Sequence, residues 1–167
     1  MKKVLIMTGD NCDDNELLYG IYRLQERDDV EFDVAALTVH EVKCKHFFSV
    51  PAVKTFEECN AEDYDAVYVP GGLAPEKIRQ NEAAKKFIRD MDAAKKPIAA
   101  ICHGPLVLIS SGILKGRRAT CYPGIADDII NAGAIHPEGR VVVDGNLVTA
   151  RRPEDMPLIM REFVKMF

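Results

Sequence analysis

The chain has 167 residues, enough for one domain with a substantial core, and 47% of them are hydrophobic. Its net charge of −4 at pH 7 gives no electrostatic ground for nucleic acid or an anionic membrane surface as partner. The five cysteines are odd in number, scattered and without a C-x-x-C pair, which points to reduced thiols in a cytoplasmic protein rather than a disulfide framework or a zinc site.

After Met1-Lys2-Lys3 the first apolar run covers only residues 4–7, too short for a signal peptide, and it predicts a buried strand. No later segment is long enough to span a bilayer. Residues 10–15 form a polar turn rich in helix-capping types, and Leu17, Leu18, Ile21 and Leu24 fall at helical spacing, predicting an amphipathic helix over 14–27. A second strand is expected within 31–38. Residues 39–53 lack helical periodicity and are expected to form a small edge hairpin before Phe56-Glu57-Glu58.

A further buried strand over 66–69 is stopped by Pro70-Gly71-Gly72, and residues 75–94 read as helical with a break near Asn81. The apolar run 97–101 is the next strand; 119–121 is a candidate strand, and 125–131 a helix. Asp144-Gly145-Asn146, flanked by Val141-Val142-Val143 and Leu147-Val148-Thr149, signals a β-hairpin. The last helix is expected to start near 153–155, with Pro153 in its first turn.

Apolar strands alternating with helices indicate an α/β fold with a parallel sheet covered on both faces. No repeat, low-complexity tract or linker divides the chain, so residues 1–167 read as a single domain. Sheets of this kind carry their sites outside the carboxyl ends of the strands, where the loops at 8–16, 70–75 and 102–103 are expected to converge.

The third of these loops holds the strongest chemical signal. Cys102 follows a strand and precedes His103-Gly104-Pro105 and the helix-forming Leu106-Val107-Leu108-Ile109. A residue on such a strand-to-helix turn is thrust above the sheet as a nucleophile elbow, and a helix N-terminus beside a thiol is expected to favour the thiolate. His103 is a candidate base, although side chains of adjacent residues tend to diverge and a catalytic histidine needs a third group to orient it. Gly72, directly after a strand, can offer a bare amide to an oxyanion alongside the amide of His103.

Glu16 lies in the acidic run Asp13-Asp14-Asn15-Glu16 and has two readings. It is either a solvated acid favoured by the helix dipole, or a carboxyl turned inward to hydrogen-bond the Cys102 sulfur, protonated when it does so. The remaining four cysteines read as plain buried or structural thiols. His136-Pro137-Glu138 is similar to the His-x-Glu element of class I glutamine amidotransferases but follows the cysteine too closely for that role. No G-x-G-x-x-G, phosphate-binding loop or metal-ligand spacing is present, so no cofactor and no metal are expected.

Taken together, Asp14-Asn15-Glu16-Leu17, Val69-Pro70-Gly71-Gly72-Leu73-Ala74-Pro75-Glu76, Ala100-Ile101-Cys102-His103-Gly104-Pro105, Tyr122-Pro123-Gly124-Ile125, Asp127-Asp128, Asn131-Ala132-Gly133 and Val143-Asp144-Gly145-Asn146-Leu147-Val148 resemble the ThiJ/PfpI superfamily, and within it the PfpI-type intracellular cysteine peptidases. The resemblance implies a flavodoxin-like three-layer α/β/α sandwich of the class I glutamine amidotransferase type, with a mostly parallel central sheet and a C-terminal β-hairpin. It implies Cys102 as nucleophile and Glu16 as the acid hydrogen-bonded to its sulfur. It also implies that Glu76 orients His103 from a neighbouring subunit, which makes a homo-oligomer a condition of the site. Gly20 stands where members often carry proline, and residues 39–53 look unlike their usual counterpart. Activities assigned in the family include peptidase, cofactor-free glyoxalase, protein deglycase and redox-responsive chaperone or sensor.

The expected function is therefore that of a cysteine-dependent hydrolase-type enzyme. Cys102 attacks a carbonyl of a peptide, a reactive aldehyde or a glycated adduct, while Gly72 and His103 stabilise the oxyanion. The alternative is a non-catalytic stress protein whose Cys102 is oxidised as a signal.

Overall fold

A computed structural model describes all of residues 1–167. The chain runs β1 (Lys2–Met7), α1 (Asp14–Gln25), β2 (Val30–Ala36), β3 (Glu41–Lys43), β4 (Ser49–Pro51), β5 (Lys54–Thr55), β6 (Ala66–Val69), α2 (Ala74–Ile78), α3 (Glu82–Ala93), β7 (Ile98–Ile101), α4 (Pro105–Ser111), α5 (Ala126–Asn131), β8 (Val141–Asp144), β9 (Leu147–Ala150) and α6 (Met156–Phe163). Seven strands form one sheet in the order β5-β2-β1-β6-β7-β9-β8, parallel throughout except for β8 against β9. Helices α1 and α6 pack together on one face of this sheet, and α2 to α5 on the other. This is the α/β sandwich with a C-terminal hairpin that the sequence pattern leads one to expect.

Every residue of β6, β7 and β9 is buried, which is why these strands read as unbroken apolar runs rather than alternating ones. The chain leaves β1 for β2 on one side and later returns to β6 on the other, so the strand order reverses between β1 and β6. Loops leaving those two strands therefore bound a crevice at the carboxyl edge. Helix α1 is started by Asp13, whose carboxylate accepts the backbone N–H groups of Asn15 and Glu16. The break expected near Asn81 is a cap as well: its side chain accepts from the Ala84 N–H at 2.9 Å and starts α3 as a separate helix.

Two expectations need correcting. Residues 39–53 do form a hairpin, β3 with β4, but it is a separate two-stranded sheet and not the edge of the main one, which β5 supplies. The hairpin turns inward because its backbone bonds the first loop: Asn11 N–H donates to the Lys43 carbonyl (2.8 Å) and Lys45 N–H to the Cys12 carbonyl (3.0 Å). Residues 119–121 are buried but form no strand. Their amides go singly to other places: Ala119 to the Ile135 carbonyl and Thr120 to the Thr149 hydroxyl, so no ladder builds.

Gly20 has a local reason. A Cβ there would lie 2.5 Å from the ring of Tyr68, whose hydroxyl donates to the Glu16 carbonyl at 2.9 Å. The missing side chain makes room for an aromatic ring that caps a helix carbonyl from the sheet. No helix of the chain is long and apolar enough to cross a membrane.

Candidate functional site

Strand β7 ends at Ile101, and Cys102 turns the chain into α4 with φ of 62°. A side chain in the left-handed region costs on the order of 1–3 kcal/mol and persists only where surrounding bonds enforce it. They do so here: Cys102 N–H donates to the Ala150 carbonyl (3.0 Å), and the Cys102 carbonyl accepts from Tyr122 N–H (2.9 Å). Gly104 completes the turn, because a Cβ there would sit 2.4 Å from the Val69 carbonyl oxygen. The strained elbow thus presents the thiol at the carboxyl edge of the sheet, with 8% of the residue exposed.

Three backbone and side-chain elements close on this sulfur. The amides of His103 and Gly72 lie near enough to favour its charged form. Gly72 adopts φ of 81° and is held by Asn11 and Cys12 of the first loop, where a Cβ would collide with Asp13 N at 2.4 Å. Glu16 projects from the first turn of α1 and is fully buried. Its Oε2 accepts the Gly71 N–H at 2.6 Å, while Oε1 has no hydrogen-bond partner of ordinary geometry and interacts with the Cys102 thiol. Of the two readings open for Glu16, the inward one describes where it lies.

His103 places Nδ1 3.3 Å from the Cys102 Sγ, so these adjacent side chains meet rather than diverge. The ring is held on its other side by Tyr122, stacked with centroids 4.9 Å apart and planes 26° from parallel. The Arg152 guanidinium stands 6.0 Å from the centre of the Tyr122 ring. Lys45, at the tip of the β3–β4 hairpin, is close enough for its charge to act on both Glu16 and His103.

Burial governs the protonation of all three groups. Burial, and then the neighbouring Glu16 carboxyl, push the Cys102 thiol up to about 12, against the pull of the His103 and Gly72 amides. Burial likewise pushes Glu16 up to about 8, helped by the charge of Asp13 and opposed by the Gly71 N–H. His103 is held below its ordinary value by burial, with Lys45 acting in the same sense and Glu76 opposing. The amide at the helix N-terminus does favour the thiolate, as the sequence leads one to expect, but burial works against it. Desolvation of the sulfur outweighs the two amide dipoles.

Cys102, His103, Glu16 and Gly72 converge. Glu76 does not join them within the chain: it is exposed in the first turn of α2 and makes no hydrogen bond to His103, although its charge is felt there. His136 lies apart, with Nε2 3.2 Å from the Thr120 hydroxyl. No group of three or more His, Cys, Asp or Glu side chains is arranged to hold a metal ion.

Sequence reasoning missed three contributors. Gly71 reads in the sequence as a turn glycine with an amide to offer the site, yet it is its lack of a side chain that lets Glu16 and Cys102 approach. Tyr122 supports the imidazole, and Asp14 anchors the hairpin that carries Lys45. Asp14 is fully buried and accepts from the N–H groups of His46, Phe47 and Phe48 at 2.8 to 3.0 Å. The available signal was that Asp13 already satisfies the cap, leaving the next acid free for a different task.

Comparison with known proteins places this geometry among relatives. The model of the DJ-1/PfpI family matches residues 2–166. Deglycase PH1704 of Pyrococcus horikoshii is 47% identical over 164 residues, covering 98% of each chain, and deglycase PfpI of Pyrococcus furiosus is 46% identical with the same coverage. Putative cysteine protease YraA of Bacillus subtilis is 36% identical over 96% of this chain and 95% of its own. Among solved structures, a two-domain protein of Anabaena variabilis with DJ-1/ThiJ/PfpI-like and ferritin-like domains superposes with a TM-score of 0.95 at 35% identity, over 99% of this chain and 48% of that one. Drosophila melanogaster DJ-1beta superposes with a TM-score of 0.88 at 25% identity, over 99% of this chain and 90% of that one. The chain belongs to the DJ-1/PfpI family.

Proposed function

We propose that the protein is a cysteine-dependent enzyme of the deglycase or glyoxalase type, in which Cys102 attacks the carbonyl carbon of a small reactive aldehyde or of its adduct on an amine or thiol. The observation that carries this reading is the Cys102–His103 contact: a thiol on a strained elbow, 3.3 Å from a neutral imidazole nitrogen and facing two backbone amides. Relatives named deglycase that are nearly half identical over almost the full chain support the same chemistry. The small exposure of Cys102 favours a small carbonyl over a long peptide.

In this mechanism the thiol proton passes to His103 Nδ1 as the sulfur adds to the carbonyl carbon. A C–S bond forms, and the carbonyl electron pair becomes an oxyanion held by the N–H groups of Gly72 and His103. With a 2-oxoaldehyde, a proton moves from the former aldehyde carbon to the neighbouring carbonyl carbon through an enediolate, so that the thiohemiacetal becomes a thioester without any external oxidant. Water then cleaves the thioester to a 2-hydroxy acid, and the thiol recovers its proton. Below about pH 8 Glu16 remains protonated, so it adds no negative charge against the developing thiolate.

Glu76 enters as a positioning residue. It is exposed and unbonded to His103 within one chain, and the resemblance implies an orienting acid from a neighbouring subunit, so the reading includes a homo-oligomer in which Glu76 of one subunit reaches His103 of the next.

The test is turnover of methylglyoxal, and release of free amine from methylglyoxal-treated N-acetyl-lysine, by wild type and Cys102→Ser. The wild type is expected to act on at least one of these and the serine variant to lose about 10³-fold or more. Casein peptides serve as the peptidase comparison. Activity on neither aldehyde substrate, or a serine variant as fast as wild type, would sink the proposal.

A further inference from the structure

Outside this site the chain holds a second pair of nucleophiles. Cys12, in the loop after β1, and Cys44, in the turn of the β3–β4 hairpin, lie 32 residues apart in sequence with their sulfurs 2.9 Å apart, and either is able to donate to the other. All five cysteines of the chain are free thiols. Cys12 is fully buried, whereas Cys44 is half-buried. Two backbone hydrogen bonds bracket the pair, Asn11 N–H to the Lys43 carbonyl and Lys45 N–H to the Cys12 carbonyl. A disulfide requires Cα atoms within about 7 Å and side chains aimed at each other. Backbone pairing on both sides of the cysteines supplies the first condition, and the sulfur contact shows the second.

We propose that Cys12 and Cys44 are a redox dithiol that closes reversibly to a disulfide under a hydroperoxide. Cys44 reacts first, being the less buried of the two residues. Its sulfur attacks one peroxide oxygen, the O–O bond breaks, the thiol proton joins the departing hydroxide, and the products are a sulfenic acid on Cys44 and one water. The Cys12 sulfur then attacks the Cys44 sulfur, the S–S bond forms, the S–O bond breaks, and the hydroxyl leaves as a second water with the Cys12 proton. Two thiols lose two electrons and two protons, and one hydrogen peroxide takes them up.

The pair is placed to matter. Cys12 is bridged to Gly72, and the loop around it bonds the same turn through Asp13 N–H to the Gly71 carbonyl and Leu73 N–H to the Asn11 carbonyl. Cys44 adjoins Lys45, whose charge reaches His103 and Glu16. A disulfide fastens the hairpin tip covalently to the loop that supports the Gly72 amide.

The reduced full-length protein is treated with increasing hydrogen peroxide until Cys102 is itself oxidised, blocked with N-ethylmaleimide and mapped by mass spectrometry without reduction. The expected result is a cross-linked peptide pair joining Cys12 to Cys44, lighter by two hydrogens than the two thiol peptides. It accumulates to most of the protein and disappears with dithiothreitol. In Cys12→Ser, Cys44 should proceed instead to sulfinic acid. The proposal is overturned if Cys12 and Cys44 both carry maleimide when Cys102 is oxidised, if either reaches sulfinic acid in the wild type, or if the cross-link joins two chains.

Discussion

Gly71 and Cys102 meet through the space that a side chain on Gly71 would fill: a Cβ there would lie 2.9 Å from the Cys102 Cβ, 2.7 Å from Glu16 Oε2 and 3.0 Å from the His103 nitrogen. None of these atoms is the loose end of a flexible chain, since the elbow is strained and the carboxyl is pinned by Gly71 itself. Gly71→Ala must therefore displace either the nucleophile or the acid. Overpacking of this kind costs about 1–3 kcal/mol in stability, and misplacement of a reacting atom by about 1 Å costs on the order of 10²-fold in rate. Denaturant unfolding and kcat/KM measured together should show the kinetic loss exceeding the loss of stability. An alanine variant with wild-type kcat/KM would show that this close approach does not position the thiol.

Glu16 makes stability depend on pH in a direction opposite to that of most carboxylates. Its folded value is raised to about 8 from an ordinary 4.5, chiefly by burial. Below the ordinary value both folded and unfolded chains hold the proton, and the contribution is fully present. Between the two values only the folded chain holds it, so stability falls as pH rises, at up to about 1.4 kcal/mol per unit, and levels off above the folded value. Glu16→Gln keeps an acceptor for the Gly71 N–H but carries no titrating proton. Urea unfolding at several pH values from 5 to 8 should show a downward slope in the wild type that flattens in the variant. Parallel profiles for the two proteins would contradict a buried, protonated Glu16.

What the sequence made legible follows from what kinds of force leave a local trace. The strands β1, β6 and β7 were readable because a parallel sheet buried on both faces demands consecutive apolar residues. Asn81 was readable because a cap needs a particular side chain at one position. Residues 119–121 are equally buried, but whether they join a ladder depends on partners at Ile135 and Thr149, which no local pattern encodes. The same holds for the site. An elbow cysteine followed by His-Gly-Pro is a local signal, whereas the direction of Glu16, the role of Gly71 and the inward turn of the β3–β4 hairpin are all set by contacts between segments far apart in sequence. The protonation of Cys102 was the least legible, because burial and the sequence-distant Glu16 outweigh the pull of the neighbouring His103 amide.

Asp14 holds the hairpin tip by giving its two oxygens to three backbone N–H groups of His46, Phe47 and Phe48. Burial alone would raise its carboxyl, yet these amides hold it below the ordinary value of 3.8. This contribution is present above that ordinary value and is lost as pH falls through the folded one. Asp14→Ala leaves the three donors without their charged acceptor and is expected to destabilise by about 2–4 kcal/mol. Asp14→Asn keeps an oxygen for Phe47 and Phe48 and should cost less. Hydrogen exchange of the amides at 46–48 localises the effect. If exchange there is unchanged in the alanine variant, the clamp is not what fixes the hairpin.

His103 sits between two opposing charges, and this sets a test that separates them. Its imidazole is held below the ordinary value of 6.5 by burial first, with Glu76 working to raise it and Lys45 to lower it further. Glu76→Gln is therefore expected to move the titration of the ring further down, and Lys45→Gln to move it up. Both shifts are measurable from the ring carbon–proton signals, with His103→Asn identifying the resonance among the four histidines of the chain. If His103 takes the thiol proton, it must be neutral to act, so the acid limb of kcat/KM against pH should follow the ring in each variant. The asparagine variant itself should lose about 10²-fold or more. A positioning role for Glu76 adds a distinct signature: Glu76→Gln would lower kcat even on the pH plateau, where the charge of the imidazole no longer matters. A variant that shifts the limb and leaves the plateau untouched would reduce Glu76 to an electrostatic neighbour, and one that does neither would remove it from the site.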